Sequence, residues 1–325
     1  MQGKIALEEH FSPPAKFDER LVYFGSRLPN WPDFARRQEA MWDVGLAEMD
    51  ANGVEHTVVS LGAPAVQQVL NPKDALELAQ RTNDFLAERC AKNPTRFSGF
   101  AAIPMQDPQA AARELERAIK DLGFKGCMVN GFTQLHDPDS ALYYDLPQFD
   151  PVWEAHVKLD VPFYLHPRNP IATQMRSYEG HPYLYGSAWA FGVETATHSL
   201  RMMGGGVFDR YPKLQVIIGH LGESLPGSIW RVDHRIKKGG DKTPCKKTLG
   251  EYFRNNFHLT TSGNFHDSTL IQAISEIGID RIMFSADYPF EDFGQAAEWF
   301  DKAPLSEADR TKIGRTNAQK LFKLK

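Results

Sequence analysis

The chain lacks the long apolar runs and cysteine patterns that mark several classes of protein. Within its 325 residues, apolar stretches such as 161–165 reach about five residues, far below the roughly 18–20 needed to cross a bilayer. Its three cysteines, Cys90, Cys127 and Cys245, are widely spaced and form no Cys-x-x-Cys pattern. We therefore expect neither a membrane protein, nor a disulfide framework, nor a thiolate zinc site.

Clustered positive charge is also missing. The formal net charge is −4, with 41 acidic and 37 basic residues, and no lysine- or arginine-rich run is available to neutralise a phosphate backbone, so nucleic acid is not an expected partner. The first ten residues contain no signal-peptide core, which predicts a cytoplasmic location. The content of 42% hydrophobic, 11% aromatic and 24% charged residues is typical of a globular protein.

What the chain does contain is an alternation of short apolar runs with longer helical patterns, as expected for βα units. No repeat or linker divides it, so we predict one domain, 1–325, with insertions at about 12–37 and 169–188. Eight runs are predicted as strands: Lys4–Glu8, His56–Leu61, Ser98–Ile103, Gly126–Asn130, Pro162–His166, Gln215–His220, His258–Thr261 and Ile282–Ser285.

The segments between these runs favour helices on the outside of a parallel sheet. Lys73–Lys92 has an apolar helical face, Pro108–Leu122 follows Asp107 as a candidate cap, and Met41–Asn52 ends at Asn-Gly. The last segment, Glu307–Phe322, is expected to close the ring. Together these patterns predict an α/β fold of the (β/α)8 TIM-barrel class.

Several of the apolar strands end abruptly in side chains that can bind a metal. Glu8 and His10 follow the first strand, His166 ends the fifth, His220 and Glu223 follow the sixth, and Asp287 follows the eighth. Because the carboxyl ends of barrel strands meet at one rim, these residues are expected to converge there. A mixed set of carboxylate and imidazole ligands predicts a divalent ion, either Mn²⁺ or Zn²⁺.

This arrangement resembles the amidohydrolase superfamily, which shares the placement of ligands on strands 1, 5, 6 and 8. Local motifs resemble, more narrowly, the metal-dependent non-oxidative decarboxylases of ortho-hydroxybenzoates, and Glu-Glu-His-Phe at 8–11 resembles the bacterial members that act on the 2,6-dihydroxy acid. The segments that carry this likeness are 3–11, 161–170, 178–182, 188–191, 194–196, 218–223, 260–264, 284–291, 313–318 and 321–324.

The resemblance implies a reversible decarboxylation, giving resorcinol and CO₂ from 2,6-dihydroxybenzoate, with one divalent ion per subunit and no organic cofactor, in a homotetramer. Glu8 in place of the superfamily's usual histidine tilts the ion toward Mn²⁺. Asp287 would deliver a proton to ring carbon C1, and Glu223 would orient the catalytic His220. The implied metal ligands are Glu8, His10, His166 and Asp287, and the implied substrate contacts are His10, Asn130, His220, Arg231 and Phe290.

His10 is expected to receive the second ortho hydroxyl of the substrate, and Arg231 to reach the substrate of a neighbouring subunit. Three alternatives stay open at this point. The substrate could be salicylate or 2,3-dihydroxybenzoate. Asp287 could instead take a proton from metal-bound water in a hydrolase of the same superfamily. A barrel that only binds an aromatic acid is disfavoured, since the polar residues at four strand ends would then have no role.

Overall fold

Eight parallel strands form a TIM barrel at the centre of the molecule, and a short antiparallel hairpin lies beside it. The computed structural model describes residues 1–14, 17–21, 30–240 and 242–324. The strands are β1 (Lys4–Phe11), β2 (Val54–Leu61), β3 (Phe97–Gly99), β4 (Cys127–Asn130), β5 (Thr133–Leu135), β6 (Asp137–Leu142), β7 (Phe163–His166), β8 (Val216–Ile218), β9 (Phe257–Thr260) and β10 (Ile282–Met283).

Each of the eight predicted strands is present, and β5 and β6 form the hairpin that the sequence did not predict. The parallel strands make two ladders, β1-β2-β3 and β4-β7-β8-β9-β10. Bonds outside the regular ladder join β3 to β4, where the amide of Lys125 donates to Gly99 O and that of Ala101 to Gly126 O, both at 2.9 Å. The two ladders therefore meet at two seams, one between β3 and β4 and one between β1 and β10. The seam between β1 and β10 lies beside the candidate site.

Helices surround the strands as the periodicity predicts. They are α1 (Trp31–Glu39), α2 (Leu46–Ala51), α3 (Pro72–Lys92), α4 (Pro108–Lys120), α5 (Asp150–Leu159), α6 (Ala190–Gly204), α7 (Val207–Arg210), α8 (Leu225–Gly239), α9 (Leu249–Asn256), α10 (Asp267–Ile277), α11 (Phe293–Lys302), α12 (Glu307–Thr311) and α13 (Asn317–Phe322). Asp107 caps α4, accepting from the amides of Gln109 and Ala110 at 3.0 Å. Among the described helices, none is both long enough and apolar enough to cross a membrane.

Two of the predicted helices are interrupted. The pattern at 41–52 begins as a π-helical turn over Met41–Gly45 before α2, and the pattern at 307–322 contains another at Lys312–Thr316 between α12 and α13. A π turn adds one residue to a single helical turn, so it alters the apolar spacing only at that point. Such breaks are therefore hard to predict from periodicity.

The barrel interior is filled by large apolar side chains and is closed from below by the last helix. The interior cluster contains Ile5, Leu7, Val58, Phe100, Met128, Tyr164, Ile217 and Met283 together with Ala318 and Phe322 of α13. The rings of Phe100 and Phe322 pack edge to face with their centroids 5.6 Å apart. The last helix thus plugs the amino-terminal end of the barrel, whereas the sequence predicted that it closes the outer ring.

The structure describes the first predicted insertion only in part and the second one completely. Of the first, residues 15, 16 and 22–29 fall outside the described residues. Its described residue Asp18 is held on α3 by Arg81, whose Nη1 lies 2.8 Å from Asp18 Oδ2. The second insertion forms three short 3₁₀ turns, Ala172–Tyr178, Pro182–Leu184 and Gly186–Ala188.

Because α13 closes the end of the barrel opposite the rim, we expect changes in it to affect the stability of the fold and not metal binding. Phe322→Ala should lower the free energy of unfolding by about 3 kcal/mol or somewhat more, because a buried aromatic ring is removed and a cavity remains. Urea denaturation followed by circular dichroism measures this, with Phe322→Leu as the milder control. Since Phe322 lies at the end of the barrel away from the rim, the Mn²⁺ dissociation constant should not change. A large loss of metal affinity would contradict this separation.

Candidate metal centre

One extra residue in β1 decides which of its side chains face the barrel axis. The register pairs Ala6 with Thr57 and Glu9 with Val59, so three steps along β1 match two along β2. This is a β-bulge, which re-aims the side chains that follow it. Before the bulge, Leu7 belongs to the interior cluster. After it, Glu8 and His10 face the axis, and Phe11 joins the outer core.

Four side chains meet where β1, β7 and β10 end. Glu8, His10, His166 and Asp287 each offer one ligand atom, and these atoms lie within 4.8 Å of one another. His10 Nε2 is 3.2 Å from Asp287 Oδ1, and His166 Nε2 is 3.6 Å from Glu8 Oε1. All four side chains are buried, Glu8 and His10 completely. The rim thus brings together the four residues that the sequence proposed as ligands.

Unpaired atoms show that this cluster fits a cation. Glu8 Oε1, His10 Nε2 and Asp287 Oδ1 are buried, and none of them has a hydrogen-bond partner among the described residues. An unsatisfied buried polar group costs about 1–3 kcal/mol, and more if it is charged. A divalent ion at this point would satisfy all three atoms, and the oxygen and nitrogen donors suit Mn²⁺ or Zn²⁺.

The second oxygen of Glu8 is held by hydroxyl groups inside the barrel. Oε2 accepts from Tyr164 of β7, from Thr260 of β9 at 3.1 Å, and from Ser262. A Cβ at Gly219 would lie 2.5 Å from this oxygen, so only glycine leaves room for the carboxylate. The hydroxyls occupy Oε2 and turn Oε1 toward the other ligands. Hydrogen bonds of this kind orient ligands and tune metal affinity.

The charge states in the metal-free chain prepare the cluster for a cation. Burial raises the pKa of Glu8 above its ordinary value. Burial, followed by the neighbouring His10, lowers the pKa of His166 well below the usual range, so its imidazole is neutral and can bind. Burial alone would raise the pKa of Asp287, but the imidazoles of His10 and His220 outweigh it and lower the pKa to about 2. Because ligands bind metal deprotonated, affinity should fall as the pH is lowered and Glu8 protonates.

His220 and Glu223 form a hydrogen-bonded pair next to this cluster. His220 Nδ1 lies 2.6 Å from Glu223 Oε1, and its Nε2 lies 3.6 Å from Asp287 Oδ2. Burial lowers the pKa of His220, but the charges of Glu223 and Glu8 and the contact with Asp287 more than compensate and raise it well above the ordinary value. These contacts favour the protonated form of His220 beside Asp287.

The turn that carries His220 has unusual backbone geometry. His220, Leu221, Glu223 and Ser224 have φ between 52° and 66°, a left-handed region that side chains other than glycine seldom adopt. Three hydrogen bonds hold it: Leu221 N–H to Thr260 O at 2.8 Å, His220 N–H to Ser262 Oγ at 3.2 Å, and Asn264 Nδ2 to His220 O at 3.1 Å. Strained conformations of this kind concentrate at functional sites.

The predicted substrate residues fall into two groups. Asn130 pairs with His166 in the β4-β7 register, so both side chains point to the same face. It is buried, and its Oδ1 has no partner among the described residues. The ring of Phe290 lies 5.8 Å from that of His10. In contrast, Arg231 is exposed on α8, with no ion pair to any described residue of its own chain.

His10 is a candidate ligand whose two ring nitrogens both have near neighbours, and its contact with a second substrate hydroxyl stays a prediction. Its Nδ1 lies 3.1 Å from Ser60 Oγ, and its Nε2 faces Asp287 Oδ1. Both ring nitrogens are therefore committed once Nε2 binds a metal.

Sequence reasoning missed residues that support the site from behind. Tyr164 is a polar position inside the apolar strand β7, and Thr260 and Ser262 belong to a polar run at the end of β9; these were the available signals. The first insertion also contributes, because α1 places Phe34 against Phe290, with ring centroids 5.4 Å apart. Arg37 of α1 donates to Pro289 O at 3.1 Å. This insertion therefore packs on the segment that follows Asp287.

Comparisons with known proteins show what this chain is similar to over its full length. A family model described as amidohydrolase matches residues 10–324. A gamma-resorcylate decarboxylase of Polaromonas sp. strain JS666 is 54% identical over 328 residues, covering 100% of this chain and 99% of the relative. A crystal structure of 2,6-dihydroxybenzoate decarboxylase complexed with 2,6-dihydroxybenzoate has a TM-score of 0.94 at 52% identity, covering 100% and 99% of the two chains. A dihydroxybenzoic acid decarboxylase from Polaromonas sp. JS666, with bound manganese and the inhibitor 2-nitroresorcinol, has a TM-score of 0.93 at 53% identity, covering 100% and 98%.

Removing one ligand should empty the site without unfolding the barrel. His166→Ala is expected to lose its metal, because His166 contributes one of four converging ligand atoms. Elemental analysis measures the metal content, and circular dichroism checks the fold. The matched control is His258→Ala, since His258 is a half-buried histidine near the start of β9 that contacts Gln215 at 3.2 Å. Full metal occupancy in His166→Ala, or its loss in His258→Ala, would count against this centre.

Proposed function

We propose that this chain, which belongs to the amidohydrolase family, is a metal-dependent carboxy-lyase that converts 2,6-dihydroxybenzoate to resorcinol and CO₂. The observation that carries this function is the set of unpaired ligand atoms on Glu8, His10 and Asp287, with the His220–Glu223 pair beside Asp287. Relatives at 52–54% identity over the full length carry the same activity in their names. No organic cofactor is needed for this reaction.

Glu8, His10, His166 and Asp287 would hold one divalent ion per subunit. Manganese is bound in the Polaromonas relative, and the oxygen-containing ligand set favours Mn²⁺ over Zn²⁺ here. When bound, the ion would supply a Lewis acid that stabilises negative charge on the oxygens of the substrate and lowers the pKa of its phenol. The remaining steps belong to side chains of this chain.

Proton delivery falls to Asp287 and His220. The pKa of Asp287 is about 2 and that of His220 is raised, so between turnovers the proton rests on the imidazole. Asp287 Oδ2, 3.6 Å away, passes it to C1 of the electron-rich ring. C1 then becomes tetrahedral, and the C–C bond to the carboxylate breaks as CO₂ leaves and the ring regains aromaticity. Glu223 keeps the imidazole charged and in place.

Two side chains would fix the ring. Asn130 offers its unpaired buried Oδ1 to the second ortho hydroxyl, which donates a hydrogen bond to it. Phe290 lies beside His10 and would form one wall of the aromatic pocket. A substrate without the second hydroxyl would leave the buried acceptor of Asn130 unsatisfied.

A homotetramer in the cytoplasm, with Arg231 reaching the substrate of an adjacent subunit, is also part of this proposal. Its support is the surface of α8, where Trp230 is 71% exposed and stacks on His234, with the two rings 5.0 Å apart. An exposed tryptophan next to an arginine is typical of the residues that protein interfaces bury. The oligomeric state and the location remain predictions.

Substrate choice tests the function directly. With Mn²⁺ present, 2,6-dihydroxybenzoate should exceed 2-hydroxybenzoate by roughly 10–100-fold in kcat/KM, the cost of one unpaired buried acceptor. Without an ortho hydroxyl, 3- and 4-hydroxybenzoate should not react. CO₂ and phenol production measure these rates, and Asn130→Ala should shrink the ratio.

In D₂O the product should carry deuterium at the carbon that lost CO₂. A preference for 2-hydroxy- or 2,3-dihydroxybenzoate, or hydrolysis of an amide or lactone instead, would contradict this reading.

The pH dependence tests the role of His220. Activity requires its imidazolium, so kcat/KM should fall on the alkaline side as the pH rises through the raised pKa of His220. Glu223→Gln removes the negative charge 2.6 Å from Nδ1. This change lowers the pKa, so the alkaline limb should move to lower pH. Rate profiles at saturating Mn²⁺ measure this, with Glu114→Gln as a buried control elsewhere. An unmoved limb would remove His220 from proton transfer.

A further inference from the structure

We propose that Glu9 and Ser285 are positioning residues that lock the metal ligands of β1 and β10 together across the barrel seam. Glu9 faces away from the ligand cluster and coordinates nothing. The inference rests on the metal site proposed above, but not on the identity of the substrate. It assigns a role to a fully buried carboxylate that the mechanism does not use.

The seam needs such a device because β1 and β10 lie at the edges of two different ladders. Between the two ends, the backbone contributes the bond from the His10 amide to Tyr288 O at 2.7 Å. Side chains supply the rest. Ser285 Oγ accepts from the amides of Leu7 and Glu8 at 3.1 and 2.7 Å, so one hydroxyl binds both residues of the bulge.

Glu9 completes this arrangement from the opposite strand. Its Oε1 accepts from the Ser285 hydroxyl at 2.8 Å and from the Ala286 amide at 2.9 Å, and its Oε2 accepts from the Tyr288 amide at 2.6 Å. Two backbone amides and one hydroxyl therefore converge on one carboxylate. All of them come from the four residues 285–288 that contain Asp287.

Asp287 lies between the two amides that Glu9 binds. Its φ is +82°, a conformation in which a residue other than glycine is strained. Such a conformation persists only where the surroundings determine it. With both flanking peptides fixed by Glu9, the Asp287 carboxylate is directed at His10 and His220 and away from solvent. The same pair, through Ser285, fixes the bulge that aims Glu8 and His10.

A purely structural role for Glu9 is the competing explanation, and a matched residue separates the two. Glu114 of α4 is also a buried glutamate, 2% exposed, whose carboxylate accepts from Asn83 Nδ2 at 2.7 Å and from Arg117 Nε at 2.9 Å. It lies on a helix outside the barrel and contacts no metal ligand. Loss of either network should lower the melting temperature, but only loss of the Glu9 network should alter the metal site.

The experiment measures Mn²⁺ binding by isothermal titration calorimetry, well below the melting temperature, for wild type, Glu9→Gln, Ser285→Ala and Glu114→Gln. In Glu9→Gln the amide NH₂ must face one of the three donors, so one contact becomes a repulsion. Its Mn²⁺ dissociation constant should rise by roughly 10–100-fold, as is typical when partners of metal ligands are changed. Ser285→Ala should raise it roughly tenfold, and Glu114→Gln should leave it unchanged.

The electron paramagnetic resonance spectrum of bound Mn²⁺ gives a second readout, because it reports ligand geometry rather than stability. It should broaden or shift in Glu9→Gln and stay as in wild type in Glu114→Gln. Glu9→Gln with wild-type affinity and spectrum would overturn the inference. If Glu9→Gln does not fold, Ser285→Ala decides in the same way, since it keeps the carboxylate. Failure of wild type to bind Mn²⁺ would instead overturn the proposed metal function.

Discussion

Exclusion of water from the rim of the barrel is the constraint on which the rest of this structure depends. Glu8, His10 and Asp287 each place a buried polar atom at the rim without a hydrogen-bond partner among the described residues. In such surroundings an unpaired charge is far more costly than on the surface. Binding of a cation converts this cost into attraction, so the folded state and the loaded state should stabilise each other. The unpaired ligand atoms should therefore lower the stability of the fold when no ion is bound.

The same constraint explains the polar groups behind the ligands. A buried carboxylate tolerates its environment only when its other oxygen is satisfied, and Glu8 Oε2 has three hydroxyl partners for this purpose. Ser262 has a double role, because it also accepts from the His220 amide at 3.2 Å. The metal ligand and the proton-carrying histidine are therefore joined through one serine, and a change at either is transmitted to the other.

Much of this molecule could be predicted from its sequence, and the limits have physical causes. Eight apolar runs predicted the strands because a parallel sheet is buried on both faces, and polar residues directly after those runs predicted the ligands. The β5-β6 hairpin was missed because Asp137–Leu142 is polar and mostly half-buried or exposed. The left-handed turn at His220 and the strained φ of Asp287 leave no pattern in residue type. The contacts of Glu9 also leave no sequence signal, because its partners at 285–288 are remote from it in the chain.

Because of the bulge at Leu7 and Glu8, the face to which each side chain of β1 points changes at this position. Up to Leu7, odd-numbered residues face the axis, whereas after it the even-numbered residues do. Loss of the codon for Glu9 would make Glu8 and His10 consecutive, and consecutive side chains of a strand point to opposite faces. One of these two ligands would then face the outer helices, whereas loss of Leu7 would only remove the bulge and leave both on the axis. The direction of each ligand in β1 therefore depends on the number of residues between it and the bulge, and not only on which residue types the strand contains.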